Sequence, residues 1–157
     1  MGTFNERWIY SQKYGNTYYK NEETGEIKKI ATGYAGKGTG VNNPDMQNVR
    51  DVGPLPEGEY MIGDPYDSET GLGPHVLPLT PDGNNEMYGR TDFRIHGDKK
   101  NSNRDSSEGC IILTLEKRES ISSSGDKVLE VKRGDGIIDK QYTIVGANRI
   151  GVTNYID

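Results

Sequence analysis

The chain has no long apolar segment, because turn-forming residues interrupt every hydrophobic stretch after a few positions. Glycine occurs 21 times and proline 7 times among the 157 residues. Apolar runs of roughly four to eight residues between turn signals are typical of β-strands, and a chain of this length has room for one hydrophobic core. We therefore predict a mainly β fold, a sandwich or barrel with one or two short helices, formed by a single domain over residues 1–157.

The strand pattern begins with an N-terminal meander, in which three apolar runs are separated by polar turns. The segment from Glu23 to Glu26 reads ETGE and predicts a hairpin turn between the second and third runs. Further runs read EYMIGDPY, HVLPLTP, DFRIHG, CIILT, KVLEVKR and QYTIVGA. A helix is predicted after CIILT, with Thr114 as its N-cap and Gly125 as its stop. The runs together predict a mostly antiparallel sheet.

Charge and hydropathy argue against two classes of partner. The formal net charge of −5 at pH 7 gives no basic footprint for a phosphate backbone, so we expect no nucleic acid partner. No apolar run approaches the roughly 20 residues that span a bilayer, so we expect no membrane insertion. The opening stretch MGTFNERWIYSQKYG lacks the basic and apolar regions of a secretory signal, so we expect synthesis without a signal peptide.

Two patterns that resemble cofactor sites fail on spacing. The stretch ATGYAGKGTG has Ala31 where a phosphate-binding loop needs its first glycine, and Gly38 where it needs Ser or Thr. His75, His96 and Cys110 are residue types that bind zinc, but their intervals match no common ligand pattern. That three-ligand site stays an alternative, and we expect His75 to be a packing or surface residue. We predict no cofactor and no metal.

The single cysteine lies in a polar stretch, RIHGDKKNSNRDSSEGCIIL, that also contains one of the two histidines. His96 closes the predicted strand FRI and Cys110 precedes the predicted strand IILT, so the two strand ends can place an imidazole beside a thiol and lower the effective thiol pKa. Gly109 lets the N–H groups around Cys110 point at a developing oxyanion. A backbone carbonyl near Gly97 or Asp98 is the candidate for orienting the imidazole. The alternative for Cys110 is a buried, inert thiol.

The same stretch resembles a known catalytic signature. The sequence IHGD followed by SSEGCI is similar to the His-Gly and Ser-x-Gly-Cys motifs of the L,D-transpeptidase catalytic domain (YkuD type), a β-rich family of cysteine enzymes that act on peptidoglycan stem peptides. A closer likeness, to the L,D-transpeptidase-like effectors exported by bacterial type VI secretion systems, covers nearly the whole chain. It is carried by WIYSQKYGN, GYAGKGTGVNNPDMQ, GPLPEGEYMIG, LPLTPDGNNEMYGRTDFRIHGD and SSEGCIIL.

The resemblance implies a cysteine L,D-transpeptidase or L,D-carboxypeptidase. Cys110 is then the nucleophile and His96 the base. Gly97, Ser107 and Gly109 complete the catalytic motif, in which Ser107 and the backbone at Gly109 and Cys110 shape the oxyanion site. The reaction implied runs through a thioester, which water resolves to a tripeptide stem and a D-amino acid resolves to an exchanged tetrapeptide.

Further residues are candidates for substrate binding. Arg90, Arg94 and Arg104 flank the motif and can pair with a terminal carboxylate in a bidentate manner, although exposed charges at a strand edge are an equal alternative. Tyr88 lies in the similar stretch just before them. Glu108 stands where many housekeeping L,D-transpeptidases have histidine, and its carboxylate would repel a carboxylate on an incoming acceptor and favour an amine.

The effector likeness also implies partners and a location. Besides peptidoglycan stem peptides, we expect a cognate immunity protein and a component of the secretion apparatus as partners. Synthesis is expected in the cytoplasm and action in the periplasm of target bacteria. Other functions stay open: a non-catalytic peptidoglycan-binding module, a housekeeping or phage cell-wall L,D-transpeptidase, and a general cysteine peptidase that cleaves L,L bonds.

Overall fold

The computed structural model describes residues 6–21, 23–98, 106–134, 137–145 and 148–156. Within these residues lie eleven strands, one α-helix and two short 3-10 turns, at Gly38–Gly40 and Pro44–Met46. The elements are β1 (Glu6–Ser11), β2 (Asn16–Asn21), β3 (Ile27–Thr32), β4 (Tyr34–Ala35), β5 (Gly58–Ile62), β6 (Leu77–Pro81), β7 (Arg94–His96), β8 (Ile111–Ile112), α1 (Leu115–Ser123), β9 (Val128–Lys132), β10 (Ile137–Val145) and β11 (Asn148–Ile156). The predicted mainly β fold with few short helices is confirmed.

Nine of the strands form one strongly curved sheet, in the order β3-β2-β1-β9-β5-β6-β7-β8-β4, while β10 and β11 form a separate hairpin. The two edge strands β3 and β4 are separated in the chain by Gly33 alone, so the sheet must curl until its edges meet. Gly33 is required at this junction, because a Cβ there would collide with the carbonyl oxygen of Ile112. The result is a nearly closed barrel.

Most neighbouring strands pair antiparallel, as the short polar turns predict. The meander β1-β2-β3 is antiparallel, and its second turn lies at Glu23–Glu26, where the N–H of Asn21 donates to the carbonyl of Glu26 at 2.9 Å. Two pairs in the nine-stranded sheet are parallel, namely β1 with β9 and β7 with β8. The second parallel pair contains His96 at the end of β7 and has Cys110 directly before β8.

The core fills the inside of the curved sheet with aliphatic residues and tyrosines. Alternate residues of β9, Leu129 and Val131, are 1% and 2% exposed, as expected for a strand with one face on the core. Tyr60 is buried with them, and its hydroxyl donates to the carbonyl of Pro56 at 2.7 Å, so the buried polar atom is satisfied. Ile95 of β7 and Ile111 of β8 belong to the same cluster, so packing in the core holds both strands in place.

The helix α1 begins and ends where the sequence predicts. The hydroxyl of Thr114 accepts a hydrogen bond from the N–H of Lys117, and Gly125 adopts a positive φ of 80° just beyond the last turn. Ile121 packs into the core, while Leu115 stays 42% exposed. Among the described residues, no helix has the length and apolar character needed to cross a membrane.

Candidate active site

His96 ends β7, and Cys110 directly precedes β8, the strand that pairs with β7 in parallel. In this pair Ile95 is opposite Ile111 and His96 is opposite Ile112. Side chains alternate along a strand, so Cys110, directly before β8, lies on the same face as Ile112 and His96. Continuing the register by one residue sets Cys110 beside Arg94, and therefore diagonal to His96. The fold thus brings the predicted base and nucleophile to the same face of adjacent strands.

A cavity of about 450 Å³ opens over this strand pair. Both His96 and Cys110 line it, and charged residues surround them, among them Lys37, Arg50, Arg94 and Glu108. A larger cavity of about 620 Å³ lies beyond Gly97 and is lined by residues such as Tyr34, Leu113 and Leu115. The smaller cavity is the candidate active site, because it contains the nucleophile and the base.

The imidazole of His96 is oriented by the backbone. Its Nδ1 lies 2.9 Å from the carbonyl oxygen of Gly97, and a carbonyl can only accept, so Nδ1 carries the proton and Nε2 is the basic atom. The expected orienting carbonyl near Gly97 or Asp98 is therefore that of Gly97. Burial lowers the pKa of His96, the Gly97 carbonyl opposes this, and the positive charges of Arg118 and Arg94 lower it further. The ring is neutral at neutral pH and can accept a proton.

The thiol of Cys110 is protonated at rest. Its Sγ donates a long hydrogen bond of 3.8 Å to the carbonyl oxygen of Asp92. Burial raises the pKa of Cys110; the backbone N–H and the charge of Arg94 oppose this, and the Glu108 carboxylate adds to it. The sequence-based expectation of a thiol with a lowered pKa is therefore wrong for the free protein, because desolvation outweighs the neighbouring donors.

The turn before Cys110 is built around the hydroxyl of Ser107, which is fully buried. This oxygen donates to the carbonyl of Cys110 at 2.6 Å and accepts from the N–H groups of Gly36 and Gly109, at 2.9 and 3.0 Å. Gly109 has a φ of 133°, and a Cβ there would lie 2.6 Å from Nη2 of Arg90. Ser107 thus holds the turn together from within, and its hydroxyl and the N–H of Gly109 are already engaged. In this turn the N–H groups of Ser107, Glu108 and Cys110 have no acceptor among the described hydrogen bonds outside the strands, and that of Cys110 belongs to the nucleophile itself.

The arginines predicted to bind substrate have different surroundings. Arg94 lines the cavity; its Nε donates to the hydroxyl of Tyr66 and its Nη1 to the carbonyl of Asp92, both at 3.0 Å. Arg90 is 4% exposed and donates to the carbonyls of Gln47, Gly53, Pro54 and Glu108. Arg90 also lines the cavity, but its guanidinium donates to these four backbone carbonyls, and its role in substrate binding stays a prediction. Arg104 lies outside the described residues.

The remaining predicted residues divide between the cavity and the surface. Glu108 is exposed and lines the cavity. Tyr88 is 46% exposed and does not contribute to the lining of either cavity. The three-ligand zinc alternative does not form, since Nε2 of His75 lies 2.7 Å from Oγ of Ser122 on α1, away from the active-site cavity. No group of three potential ligands is found in the described part of the chain.

Sequence reasoning missed the cationic residues that come from the long N-terminal connection. Lys37 and Arg50 are exposed and line the same cavity as His96 and Cys110. The stretches that contain them read as surface turns, and no local pattern indicated that they return to the strand ends. The closely spaced glycines of this connection are a sequence signal for the return. Gly36 and Gly40 are buried, and a Cβ at either position would collide with backbone atoms.

One comparison with known proteins gives a match. The family model described as the Tlde1 domain matches residues 29–134, which include both His96 and Cys110. No curated protein and no solved structure matches the chain.

Proposed function

Because the chain belongs to the Tlde1 domain family, a family of type VI secretion effectors, we propose that it is an antibacterial enzyme that cleaves or exchanges the terminal residue of peptidoglycan stem peptides. The observation that carries this proposal is the placement of Cys110 and His96 on one face of β7 and β8, inside a charged cavity. The resemblance of the IHGD and SSEGCI motifs to L,D-transpeptidases supplies the reaction class.

The first half-reaction transfers the acyl group of the stem peptide to the cysteine. Nε2 of His96 accepts the thiol proton of Cys110 as the sulfur attacks the carbonyl of the L-centre of the diamino acid. The bond from this carbonyl to the nitrogen of D-alanine breaks, and the imidazolium returns its proton to that nitrogen. The products are free D-alanine and a thioester at Cys110.

Two acceptors compete for this thioester. When water attacks, His96 takes one of its protons and the thiol leaves, so the stem is released as a tripeptide. When a D-amino acid attacks through its amine, the same steps release an exchanged tetrapeptide. Hydrolysis and exchange are thus two outcomes of one intermediate.

Neutral resting partners suit this mechanism. The thiol and the imidazole exchange a proton only when substrate excludes water, so His96 acts as a general base during attack and not as half of a preformed ion pair. The backbone and the charge of Arg94 lower the pKa of Cys110 and so stabilise the thiolate as it forms. The N–H of Cys110 is the candidate oxyanion donor, and a donor of this kind contributes about 3 to 4 kcal/mol in comparable sites.

The effector family supports a proposal for the setting of this activity. We propose synthesis in the cytoplasm, delivery through a secretion apparatus component, and action on the wall in the periplasm of a target bacterium. A cognate immunity protein would protect the producing cell. Expression with an export signal should then cause swelling or lysis, expression without one should be tolerated, and Cys110→Ala should abolish the toxicity.

The decisive experiment measures products from purified tetrapeptide stems by mass spectrometry at increasing D-methionine concentrations. We expect tripeptide to fall as exchanged tetrapeptide rises, with both lost in Cys110→Ala and His96→Ala. Tripeptide that stays constant while exchange rises would exclude a shared thioester. Binding of stems without turnover would indicate the peptidoglycan-binding module, and cleavage of L,L peptides would indicate a general cysteine peptidase.

A further inference from the structure

Two buried arginines lie behind the two proposed catalytic residues. Arg118 of α1 is 3% exposed and Arg90 is 4% exposed. Each guanidinium packs against the Cα of a glycine and leaves no room for a side chain there. A Cβ at Gly97 would lie 2.9 Å from Nη1 of Arg118, and a Cβ at Gly109 would lie 2.6 Å from Nη2 of Arg90. Gly97 follows the base and Gly109 precedes the nucleophile, so each arginine supports one of the two active-site turns.

Arg118 fixes two chain segments through backbone carbonyls. Its Nη1 donates to the carbonyl of Leu113 at 2.6 Å, its Nε to that of His75 at 2.9 Å, and its Nη2 to that of Pro74 at 3.0 Å. Leu113 directly follows β8, and His75 lies just before β6. A planar fork with fixed donor directions is needed to serve all three acceptors at once, which a lysine ammonium on a flexible stem does not provide.

The same contacts lead directly to the imidazole. The N–H of Leu113 donates to the carbonyl of His96 at 3.1 Å, so the residue whose carbonyl Arg118 binds is also hydrogen-bonded to the backbone of His96. The carbonyl that orients Nδ1 of His96 belongs to Gly97, which packs on the guanidinium. The charge of Arg118 also disfavours the imidazolium. Both backbone groups that define the position of the ring therefore depend on one buried side chain.

Packing alone does not account for an arginine here. Burying a charge is costly unless its hydrogen bonds are satisfied, and an apolar residue of similar volume on α1 would fill the space at less cost. What the guanidinium adds is a fixed geometry at the ends of β7 and β8.

We propose that Arg118 is the positioning residue of the general base, which holds the Gly97 carbonyl against Nδ1 and so keeps Nε2 of His96 free to accept the Cys110 proton. The inference rests on the proposed function for the role of the base. The tautomer it requires is a property of the free protein, and it is measured without substrate.

The test compares Arg118→Lys with the matched control Arg90→Lys, which also removes a buried guanidinium bound to backbone carbonyls. Nitrogen-15 NMR reports which ring nitrogen carries the proton, and the chain has two histidines, so His75→Gln assigns the signals. We expect the Nδ1–H tautomer of His96 in the wild type and in Arg90→Lys, and a mixture with the Nε2–H tautomer in Arg118→Lys. In Arg118→Lys, kcat should fall about 10- to 100-fold with little change in KM, the size expected for a small displacement of a catalytic group.

A second variant tests the contact without removing any donor. Gly97→Ala places a methyl group against Nη1 of Arg118 and should produce the same tautomer mixture. Retention of the Nδ1–H tautomer in both Arg118→Lys and Gly97→Ala would overturn the inference, whatever the effect on thermal stability. Absence of activity on stem peptides in the wild type would instead overturn the proposed function and leave the tautomer result intact.

Discussion

The hydroxyl of Ser107 donates a 2.6 Å hydrogen bond to the carbonyl of Cys110. Ser107→Ala removes this bond and leaves the N–H groups of Gly36 and Gly109 without their acceptor. We expect a loss of about 2 to 4 kcal/mol in the free energy of unfolding, since buried donors lose their partners. Urea denaturation measures the change. Ser120→Ala is the control, because that hydroxyl is exposed and donates within its own helix, and an equal loss in both variants would contradict the role of Ser107.

The raised pKa of Cys110 determines how the free protein reacts with alkylating agents. The rate of iodoacetamide labelling should reach half its maximum above pH 8.5, about the value of an unperturbed cysteine. His96→Gln should leave the curve nearly unchanged, because both groups are neutral in the resting protein. A midpoint near pH 6 that His96→Gln abolishes would show a preformed ion pair instead.

Stability should depend on pH through the same two residues. The pKa of His96 is lower in the folded than in the unfolded protein, so its contribution is full above about pH 6.5 and is lost as pH falls through the folded value. The pKa of Cys110 is raised, so its contribution is full below about pH 8.5 and is lost as pH rises further. Melting temperatures measured from acid to alkaline pH should be less pH-dependent in the double variant His96→Gln, Cys110→Ser.

Glu108 is expected to control the choice of acceptor. Its carboxylate lines the cavity beside Cys110 and repels the carboxylate of an incoming D-amino acid. Glu108→Gln should increase the ratio of exchanged tetrapeptide to tripeptide at fixed D-methionine and should lower the pKa of Cys110. The control is Glu116→Gln on α1, a residue that lines neither cavity. An unchanged ratio of exchanged tetrapeptide to tripeptide would show that the Glu108 carboxylate points into solvent and does not influence the acceptor.

Arg94 is expected to bind the terminal carboxylate of the stem peptide. Arg94→Gln keeps the backbone at this position but removes the charge, so KM should rise about tenfold, as for the loss of one charge-assisted pair. The effect should vanish for a stem whose terminal carboxylate is amidated. Arg133→Gln, whose guanidinium pairs with Asp45 outside the cavity, is the control. A kcat loss without a KM change would contradict this role.

The parts of the fold that depend on local signals could be predicted from the sequence. Strand runs, the turn at Glu23–Glu26 and the capped helix at Thr114 are encoded within a few residues of where they form. Cys110 and His96 could also be placed at strand ends, because each borders an apolar run.

The surroundings of those two residues could not be predicted, because they depend on distant segments. The parallel pairing of β7 and β8 has no local signature. The hydrogen bonds of Arg90 to backbone carbonyls could not be predicted, because an arginine beside a motif looks the same in sequence whatever its guanidinium contacts. The pKa of Cys110 was misjudged for a similar reason, since desolvation is set by the closed sheet and not by neighbouring residues.

The strand order has a consequence for how the chain acquires its structure. β1 lies in the interior of the sheet, with Trp8 opposite Leu129 of β9. The pairing of β1 is therefore complete only after β9, a strand far along the chain, has been synthesised. Contacts between such distant residues slow folding to the millisecond-to-second range, because the loop entropy is lost before the pairing is gained. In a chain that is still emerging from the ribosome, β1 and β9 are therefore not yet paired. Because β7 and β8 join the sheet through β6 and β5, which follow β9 in the strand order, the nascent chain also lacks a complete cavity around Cys110.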